Sequence, residues 1–536
     1  MPAPEEPLRR LDALEHEQAT VRERVAKVEA EREEARRERD HYRLLYQQML
    51  ERCRKLERGL LGQKSERLHD EGAQLSLGVL ELLLGERAMA QVEGLATERV
   101  VKEHTRNKPT GRKPIPDHLP RVDVVIVPEE VEREGLDAFD KIGEDITEVL
   151  ERRPASMVVA RIIKPKFVRK GRTDKTGIVM GPTPGLPIPM GLAGPGLLAD
   201  TLVRRWQDHL PLHRLEGIYA REGVELARST VCGWHEQLAG LCERLVAAMR
   251  RDAFEQPYLC TDATGVLVQA KHKCRRGHFW VMVAPGRHVL FEYTRDHSGD
   301  AVDTVLAGYE GYLVADAAVV FDHLYADGRV TEVNCWAHCR RYFFKAMESD
   351  PERAKQALGY IGALFRVERS IADAPRKKRE LIRAKHSQPI VEVFFSWCDA
   401  EAPHLLEDTP IHDGVRYARN QRKGLSRFLE DGRLPLDNNI SERQLRRQAV
   451  GRKNWMFLGS DDGGHVNAIF TSLLASCRML GVEPWAYLRD LFCLLPDWPA
   501  HQVLDLAPVN WPATSERDDV QHTLGLNPYR LLTLGG

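Results

Sequence analysis

Three consecutive runs read YLCTDATGVLVQ (258–269), GHFWVMVAP (277–285) and HVLFEYT (288–294). The hydrophobic period in them is two, and short polar turns separate the runs, which is typical of β-strands. The pattern predicts an antiparallel meander of three strands. A helical patch at 301–306 and a further apolar run, GYLVAD (311–316), predict a helix and then a fourth strand.

Two aspartates belong to these predicted strands. Asp262 falls within the first strand and Asp316 at the end of the fourth, so the two lie side by side if those strands are neighbours in one sheet. Like charges so close together are costly unless a cation shares them. The spacing is therefore consistent with a carboxylate pair that binds a metal ion. The alternative is an ordinary structural role for each acid.

A third acid lies in LPLDNNISERQLRRQAVGRKNWMF (434–457). Asp437 and Asn438 are expected to cap a helix, with Glu442 one turn inside it among several arginines. Mg²⁺ prefers oxygen ligands, so two aspartates and one glutamate suit a two-metal phosphoryl-transfer site. The alternative is an i,i+4 ion pair between Glu442 and Arg446 on an exposed helix face.

Three helical patterns lie in close order between residues 197 and 250. A tight turn at Gly223 separates the last two, and this spacing is typical of a helix-turn-helix. The alternative is any small helical bundle. If the second helix enters a major groove, the side chains expected to face base edges are Arg228, His235 and Gln237.

The N-terminal sequence, from residue 8 to about 61, is dominated by charged residues and carries apolar residues seven apart, among them Leu14, Val21 and Val28. This pattern predicts a coiled coil that oligomerises the protein. A solvated charged helix packed on its own protein is the alternative, because the companion series is charged at Arg32 and Arg39.

The formal net charge of −1 over 536 residues hides strong segregation of charge. Residues 101–121 carry six Lys or Arg against two acids, whereas 122–152 carry eleven acids against three bases. The basic stretch, with Arg112 and Lys113, is expected to be an extended tether that lies along phosphates or only links two domains. The uncharged stretch at 176–199 is rich in Gly and Pro, so it predicts a linker and not a membrane helix. No secretory segment is recognised, and the ten cysteines are expected to be reduced thiols in a cytoplasmic protein.

Six stretches carry a resemblance to a known family. They are LLGQKSERL (60–68), GPGLLADTLVRRWQDHLPLHRLEGIYAREGVELARSTVCGW (194–234), HFWVMVAP (278–285), CWAHCRRYF (335–343), DNNISERQLRRQAVGRKNWMFLGSDDGG (437–464) and GVEPWAYLRDL (481–491). In these motifs and their order, the chain resembles the transposases of the insertion sequence 66 family. These are transposases with an Asp-Asp-Glu triad on a ribonuclease-H-like fold.

The resemblance implies that the triad is Asp262, Asp316 and Glu442, which are the acids already singled out. It implies two divalent ions, Mg²⁺ or alternatively Mn²⁺, with Asp262 bridging both and each of the other acids binding one. The family places a mostly helical insertion between its second and third acids, and 126 residues separate Asp316 from Glu442 here.

The expected fold is multidomain, α and α/β, with a ribonuclease-H-like catalytic core. Its expected parts are a coiled-coil, leucine-zipper-like region (1–99), a basic linker (100–121), a small β-containing domain (122–175), a Gly/Pro linker with a helix-turn-helix (176–250), the first part of the core (251–343), a helical insertion (344–434), the second part of the core (435–495) and a C-terminal tail (496–536).

Three departures from the family pattern stand out. The small domain occupies the place of a zinc-binding module, but no cysteine lies between Cys53 and Cys232, so zinc is not expected. The family's Glu-Thr after the first acid is Ala263-Thr264 here. Its Gly-Tyr after the second acid is Ala317-Ala318. The compact cluster CWAHC (335–339) is expected to pack in the core, with a metal site as the alternative.

The implied function is a DNA transposase that binds terminal inverted repeats, cuts at the element ends and joins the 3′-hydroxyl to target DNA. The expected partners are both DNAs, further copies of the chain and accessory proteins of the same element, in the bacterial cytoplasm at the nucleoid and with no membrane. The alternatives are a catalytically impaired DNA-binding relative, a coiled-coil scaffold, and a metal nuclease without strand transfer. The further residues expected to contact DNA are Arg204, Arg205, Arg340, Arg341, Arg446, Arg447, Arg452 and Lys453.

Overall fold

The computed structural model describes residues 24–37, 39–41, 115, 119–153, 156–170, 178–271, 273–326 and 328–534. The chain divides into two compact units. The core unit comprises residues 99–333 and 437–536, and the insertion unit comprises 1–98 and 334–436.

Little of the predicted coiled coil falls within the described residues. Residues 24–37 and 39–41 are helical, and Val25 and Val28 of the heptad pattern are exposed. The rest of the predicted coiled-coil region, and most of the basic linker, lie outside the described residues. The coiled coil therefore stays a prediction.

The first sheet of the core unit lies where a small β-containing domain was predicted. Its elements are β1 (Arg121–Val125), α1 (Glu129–Glu134), β2 (Phe139–Arg153), β3 (Ser156–Arg169) and β4 (Ile178–Met180). The strands follow the order β1-β3-β2, and β4 pairs with β3. β3 is parallel to β1 and antiparallel to β2 and β4. β3 lies at the centre and carries β-branched pairs at 158–159 and 162–163, of which Val158, Val159 and Ile162 are buried.

Three helices follow this sheet: α2 (Pro195–Leu202), α3 (Leu212–Arg221) and α4 (Arg228–Phe254). They lie close to the three predicted helical patterns. Gly223 adopts a left-handed conformation with φ of 83° in the turn between α3 and α4, as glycine does without steric cost. The Glu216 carboxylate accepts the Arg228 backbone N–H at 2.6 Å, so it satisfies a donor at the start of α4.

A buried carboxylate joins the first sheet to α2. Glu151 on β2 is fully buried, and its Oε1 atom accepts the backbone N–H of Arg152 at 2.7 Å and of Leu197 at 2.6 Å. Burial raises the pKa of this carboxyl to about 8, although these backbone donors act in the opposite direction. The folded protein therefore favours the neutral form of Glu151.

This raised pKa predicts a pH dependence of stability. The contribution of Glu151 is fully present below its ordinary pKa of 4.5 and is lost as the pH rises towards 8, on the order of 5 kcal/mol in all. Glu151→Gln retains an accepting oxygen but cannot ionise, so we expect its urea midpoint to fall less across this window. Glu144→Gln, an exposed position on the same strand, is the control. If the urea midpoints of the wild type and Glu151→Gln fell equally with rising pH, this assignment would be contradicted.

The second sheet has the predicted meander. It contains β5 (Tyr258–Val268), β6 (Arg275–Ala284), β7 (His288–Thr294), β8 (Gly311–Ala315) and β9 (Val330–Asn334), in the order β7-β6-β5-β8-β9. β5, β6 and β7 are successively antiparallel, and β8 is parallel to β5. The crossover between β7 and β8 includes α5 (Gly299–Val305), near the predicted helical patch.

The insertion unit is helical in its described C-terminal part. Its helices are α6 (Trp336–Ala346), α7 (Pro351–Ser370), α8 (Arg376–Ile382), α9 (Gln388–Glu401), α10 (Pro410–Asn420) and α11 (Arg422–Ser426). Trp336 is fully buried and donates its indole N–H to the Leu425 carbonyl at 2.7 Å. The boundary predicted at residue 344 falls inside α6 (Trp336–Ala346). Phe343 and Ala346, on either side of that boundary, are both buried.

The chain then returns to the core unit. The remaining helices are α12 (Asn439–Trp455), α13 (Asp461–Leu480), α14 (Pro484–Leu494), α15 (Trp511–Ser515), α16 (Asp518–Leu526) and α17 (Pro528–Leu534). α13 covers the edge strand β7: the hydroxyls of Ser472 and Ser476 accept the backbone N–H groups of Phe291 and Val289 at 2.7 and 2.9 Å. These contacts satisfy donors that an edge strand would otherwise expose.

The described elements make this a mixed α/β protein, as predicted. Within the described residues, no helix has both the length and the apolar character needed to cross a membrane.

Candidate active site

The two candidate aspartates lie on neighbouring parallel strands. The register pairs Tyr258 with Tyr312 and Cys260 with Val314. Two residues further along, the same register aligns Asp262 on β5 with Asp316, which directly follows β8. Successive residues on a strand alternate between the two faces of the sheet. The aligned aspartates therefore belong to the same face. The two strands are neighbours in one sheet, which is the condition for the two aspartates to lie side by side.

Both carboxylates accept a hydrogen bond from the backbone that follows them. Asp262 Oδ1 accepts the Ala263 N–H at 2.7 Å, and Asp316 Oδ1 accepts the Ala318 N–H at 3.2 Å. Both side chains are half-buried. These donors reduce the cost of placing two negative charges on adjacent strands of the sheet.

The third acid is brought to the same strand by a buried asparagine. Asn438 precedes α12, is 0% exposed, and donates its Nδ2 atom to the Thr261 carbonyl at 2.7 Å. Thr261 is the residue directly before Asp262. Glu442 lies one turn into α12, and its backbone N–H bonds the Asn438 carbonyl at 3.3 Å. The turn that carries Glu442 is therefore anchored to Thr261, the chain neighbour of Asp262.

The far end of α12 is fixed to the same strand. Arg452 Nη1 donates to the Thr264 hydroxyl at 2.8 Å and to the Gly265 carbonyl at 2.5 Å. Just beyond the helix, Leu458 exchanges backbone hydrogen bonds of 2.8 Å with Leu267 and Gln269. α12 is thus held along β5 at both ends, which restricts sliding of Glu442 relative to Asp262.

The predicted cap of α12 differs from the observed one. The Asn438 side chain makes no capping hydrogen bond; its Nδ2 atom donates to the Thr261 carbonyl instead. Asp437 instead accepts the Asn439 backbone N–H at 3.0 Å. Burial raises the pKa of the Asp437 carboxyl, with the Asn439 hydrogen bonds opposing this shift.

The donor set of the three acids suits a hard divalent cation, since all its atoms are carboxylate oxygens. Among the described residues, however, no three Asp, Glu, His or Cys side chains are gathered closely enough to hold a metal ion. The chemistry fits magnesium, whereas the side chains are not in a ligating arrangement.

Comparison with known proteins decides the family. A sequence profile described as "Transposase IS66 family" matches residues 190–466, which is more than half of the chain. The chain belongs to this transposase family. Two further profiles match, "Transposase C of IS166 homeodomain" at 48–124 and "IS66 C-terminal element" at 472–509. A transposase function is therefore indicated.

Similar proteins occur in Sinorhizobium fredii under names that state no function. The uncharacterized protein y4hP is 30% identical over 489 residues, which cover 86% of this chain and 88% of that protein. The uncharacterized protein y4qI is 30% identical over 480 residues, with 85% and 87% covered. The likeness thus extends over nearly the whole of both relatives.

The departure from the IS66 pattern after Asp316 falls on a strained residue. Ala317 has φ of 60°, in the left-handed region that costs a non-glycine residue about 1–2 kcal/mol. The family's usual residue here is glycine, which adopts this conformation without that cost.

We expect Ala317→Gly to stabilise this IS66 transposase by about 0.5–1 kcal/mol, because the relief of strain exceeds the entropy that glycine adds to the unfolded chain. The urea unfolding midpoint measures the effect. Ala318→Gly is the matched control: Ala318 has an ordinary φ of −72°, so the same change there should destabilise. A destabilised Ala317→Gly protein would disprove the strain argument.

Several predicted DNA contacts lie at the surface of the core unit. Arg228, Gln237, Arg446 and Lys453 are exposed. Gln237 Nε2 donates to the Gly233 carbonyl of its own helix at 3.1 Å, a bond that leaves the side chain at the surface. Their exposure is compatible with nucleic-acid contact, which stays a prediction.

Other predicted DNA contacts are engaged within the core unit. Arg204 pairs with Asp200, with Nε 2.8 Å from Oδ2. The Arg205 guanidinium lies 4.4 Å from the ring centroid of Trp206 and 5.6 Å from that of Trp455. Burial lowers the pKa of Arg205 to about 10. With the Arg452 contacts to β5, these residues have clear packing roles.

Two predicted DNA contacts are wrong. His235 is 2% exposed, and its Nε2 atom lies 3.1 Å from the Thr201 hydroxyl. Burial lowers its pKa to about 3, so it is a neutral core residue and cannot reach a base. Arg447 is 7% exposed and donates to Gln207 Oε1 at 2.8 Å, which turns it away from the surface.

The remaining candidates belong elsewhere. Arg340 and Arg341 lie half-buried on α6 of the insertion unit, and Arg112 and Lys113 lie outside the described residues. In the CWAHC cluster, Cys335 and Cys339 are fully buried, which confirms the predicted core packing.

Sequence reasoning missed two features of the site. The Thr261 contact of Asn438 is a long-range one, and the DNN motif gave only a capping signal. The basic hairpin between β5 and β6, with exposed Lys271, Lys273 and Arg276, was also missed. Its signal was present, because no acidic residue occurs from Ala263 to Phe291.

Proposed function

We propose that this IS66 transposase binds the terminal inverted repeats of its element, cleaves the DNA at the element ends and transfers the freed 3′-end to target DNA. Asp262, Asp316 and Glu442 are the proposed catalytic carboxylates. One observation carries the proposal: β5 and β8 align the two aspartates, and the Asn438 bond to Thr261 fixes the Glu442 turn beside them.

In this proposal the three carboxylates would hold two divalent ions, Mg²⁺ or Mn²⁺. Such ions stabilise charge on the attacking and leaving oxygens of a phosphoryl transfer. Asp262 and Asp316 would supply ligands from two adjacent strands, while Glu442 would supply one from a helix held along β5. Water is the nucleophile for cleavage and the freed 3′-hydroxyl for strand transfer, so no covalent bond to the protein is needed.

DNA contacts are proposed for the exposed polar residues of the core unit. Arg228 and Gln237 on α4 would face the element end, and Arg446 and Lys453 on α12 would neutralise phosphates near the carboxylates. Arg112, Lys113, Arg340 and Arg341 stay predicted contacts. Oligomerisation through the N-terminal helix would hold two element ends together, at the nucleoid and with accessory proteins of the same element.

The test is incubation of the full chain with a labelled duplex of an element end, a target plasmid and Mg²⁺. Cleaved ends and covalently joined products are expected, and their absence from a reaction with EDTA supports metal dependence. Cleavage without joining would make the protein a nuclease. Binding without products would indicate an impaired relative, and failure to bind would overturn the proposal.

A further inference from the structure

Two apolar side chains at the end of α12 are exposed to solvent. Met456 is 68% exposed and Phe457 is 42% exposed, and Leu267 on β5 is 48% exposed beside them. Each such side chain forgoes part of the about 1.5–3 kcal/mol that its full burial would contribute. Met456 also has φ of 64° and ψ of −49°, which is a γ-turn conformation that is rare and strained for a non-glycine residue. Neither cost is recovered within the described fold.

The turn that carries these side chains is rigid. The Met456 N–H bonds the Arg452 carbonyl at 2.9 Å, and the Phe457 N–H bonds the Trp455 carbonyl at 2.8 Å. Leu458, the next residue, is bonded to β5 on both its N–H and its carbonyl. Met456 and Phe457 are therefore held outward by the backbone.

A basic hairpin adjoins the turn. The backbone bond from the Gln269 N–H to Leu458 brings the β5–β6 hairpin to the same end of β5. Lys271, Lys273 and Arg276 on this hairpin are exposed, and no acidic residue occurs in the sequence from 263 to 291. The neighbouring Arg275 pairs with Asp461 of α13. An apolar turn flanked by these three exposed positive charges matches a polyanion that contains stacked apolar rings, which is duplex DNA.

We propose that the Met456–Phe457 turn inserts as a wedge between base pairs of bound DNA, while Lys271, Lys273 and Arg276 bind the adjoining phosphates. The inference rests on the proposed function and adds to it a surface that unstacks and kinks the duplex at the end of α12 away from Glu442. Inserted apolar side chains open base steps in this way in other DNA-bending proteins.

The test compares the full-length protein with the double variant Met456→Gly, Phe457→Ser on a labelled duplex rich in flexible TA steps. Glycine suits the positive φ of this position, so the variant is expected to fold. Permanganate oxidises unstacked thymines and reports the wedge wherever it inserts. We expect wild-type complexes to show reactive thymines and the variant to show at least roughly ten-fold less reactivity while still binding the duplex.

Two controls separate the outcomes. Met190→Gly removes a methionine that is 97% exposed with φ of 54°, and it should leave the permanganate pattern unchanged. Lys271→Gln with Lys273→Gln should weaken binding to all duplexes and reduce the salt slope by about 2.

Equal thymine reactivity in wild type and wedge variant would overturn the wedge and leave the proposed function standing. A wedge variant that changes only the oligomeric state would identify the turn as a protein contact and also overturn the wedge. A wild-type protein that binds no duplex would overturn both.

Discussion

Glu442→Gln is expected to abolish cleavage and joining of element-end DNA, with a loss of roughly 10³-fold or more, while folding and DNA binding persist. The amide keeps the shape of the side chain but removes the negative charge that a divalent cation requires. Because Glu442 is only half-buried, the change should cost little stability. Single-turnover product formation with Mg²⁺ measures the loss.

Glu255→Gln is the matched control, since Glu255 is an exposed glutamate in the same unit. It should retain wild-type activity. An active Glu442→Gln protein would remove this residue from the catalytic set. Simultaneous loss of DNA binding and activity would indicate that the Glu442 carboxylate is needed for DNA binding and not specifically for the reaction.

Asn438→Asp is expected to have the largest effect on stability, about 3 kcal/mol, together with a strong loss of activity. At neutral pH the new carboxylate would place an acceptor against the Thr261 carbonyl, where the amide now donates at 2.7 Å. The start of α12 would then lose its anchor on β5. Urea denaturation and the cleavage rate measure the two effects.

The pH profile distinguishes a positioning role from general damage. Once protonated, the carboxyl group introduced by Asn438→Asp can donate to the Thr261 carbonyl again. The folded state should therefore raise the pKa of this new carboxyl, and the lost stability should return partly as the pH falls. Asn438→Ala cannot recover in this way. Asn420→Asp, a change at an exposed asparagine elsewhere, should be neutral. A pH-independent loss in Asn438→Asp would refute the proposed anchor.

The sheet of the site was predictable because its signal is local. The period-two runs from 258 to 294 contain the meander, and Asp262 and Asp316 fall at corresponding places on β5 and β8 once these strands are neighbours. The alternation of residues along a strand then aligns them without further information. Glu442 stood out through its place one turn into a predicted helix among arginines, and the resemblance to IS66 transposases grouped it with the pair.

The parts that sequence could not supply depend on contacts between distant residues. Asn438 reads as a helix cap because capping is a local rule, yet its amide bonds a residue 177 positions away. His235 lies on a helix that is packed on more than one face, since Trp234 beside it is also buried. Helical spacing gives the faces of α4 but not which of them meets solvent.

The sequence also does not show which arginine side chains are exposed and which are buried. Arg446 and Arg447 are adjacent, but the first is exposed and the second contacts Gln207 inside the core unit. A cluster of basic residues therefore predicts a positive surface only in part, because some guanidinium groups bind helices and strands together.

The measurement that tests the central claim most directly is calorimetric titration of Mn²⁺ into the protein bound to an element-end duplex. If Asp262, Asp316 and Glu442 form one cation site, Asp262→Asn, Asp316→Asn and Glu442→Gln should each weaken Mn²⁺ binding at least roughly ten-fold, since each removes a charged ligand. Glu255→Gln should bind as the wild type does. Wild-type Mn²⁺ affinity in all three triad variants would contradict the account.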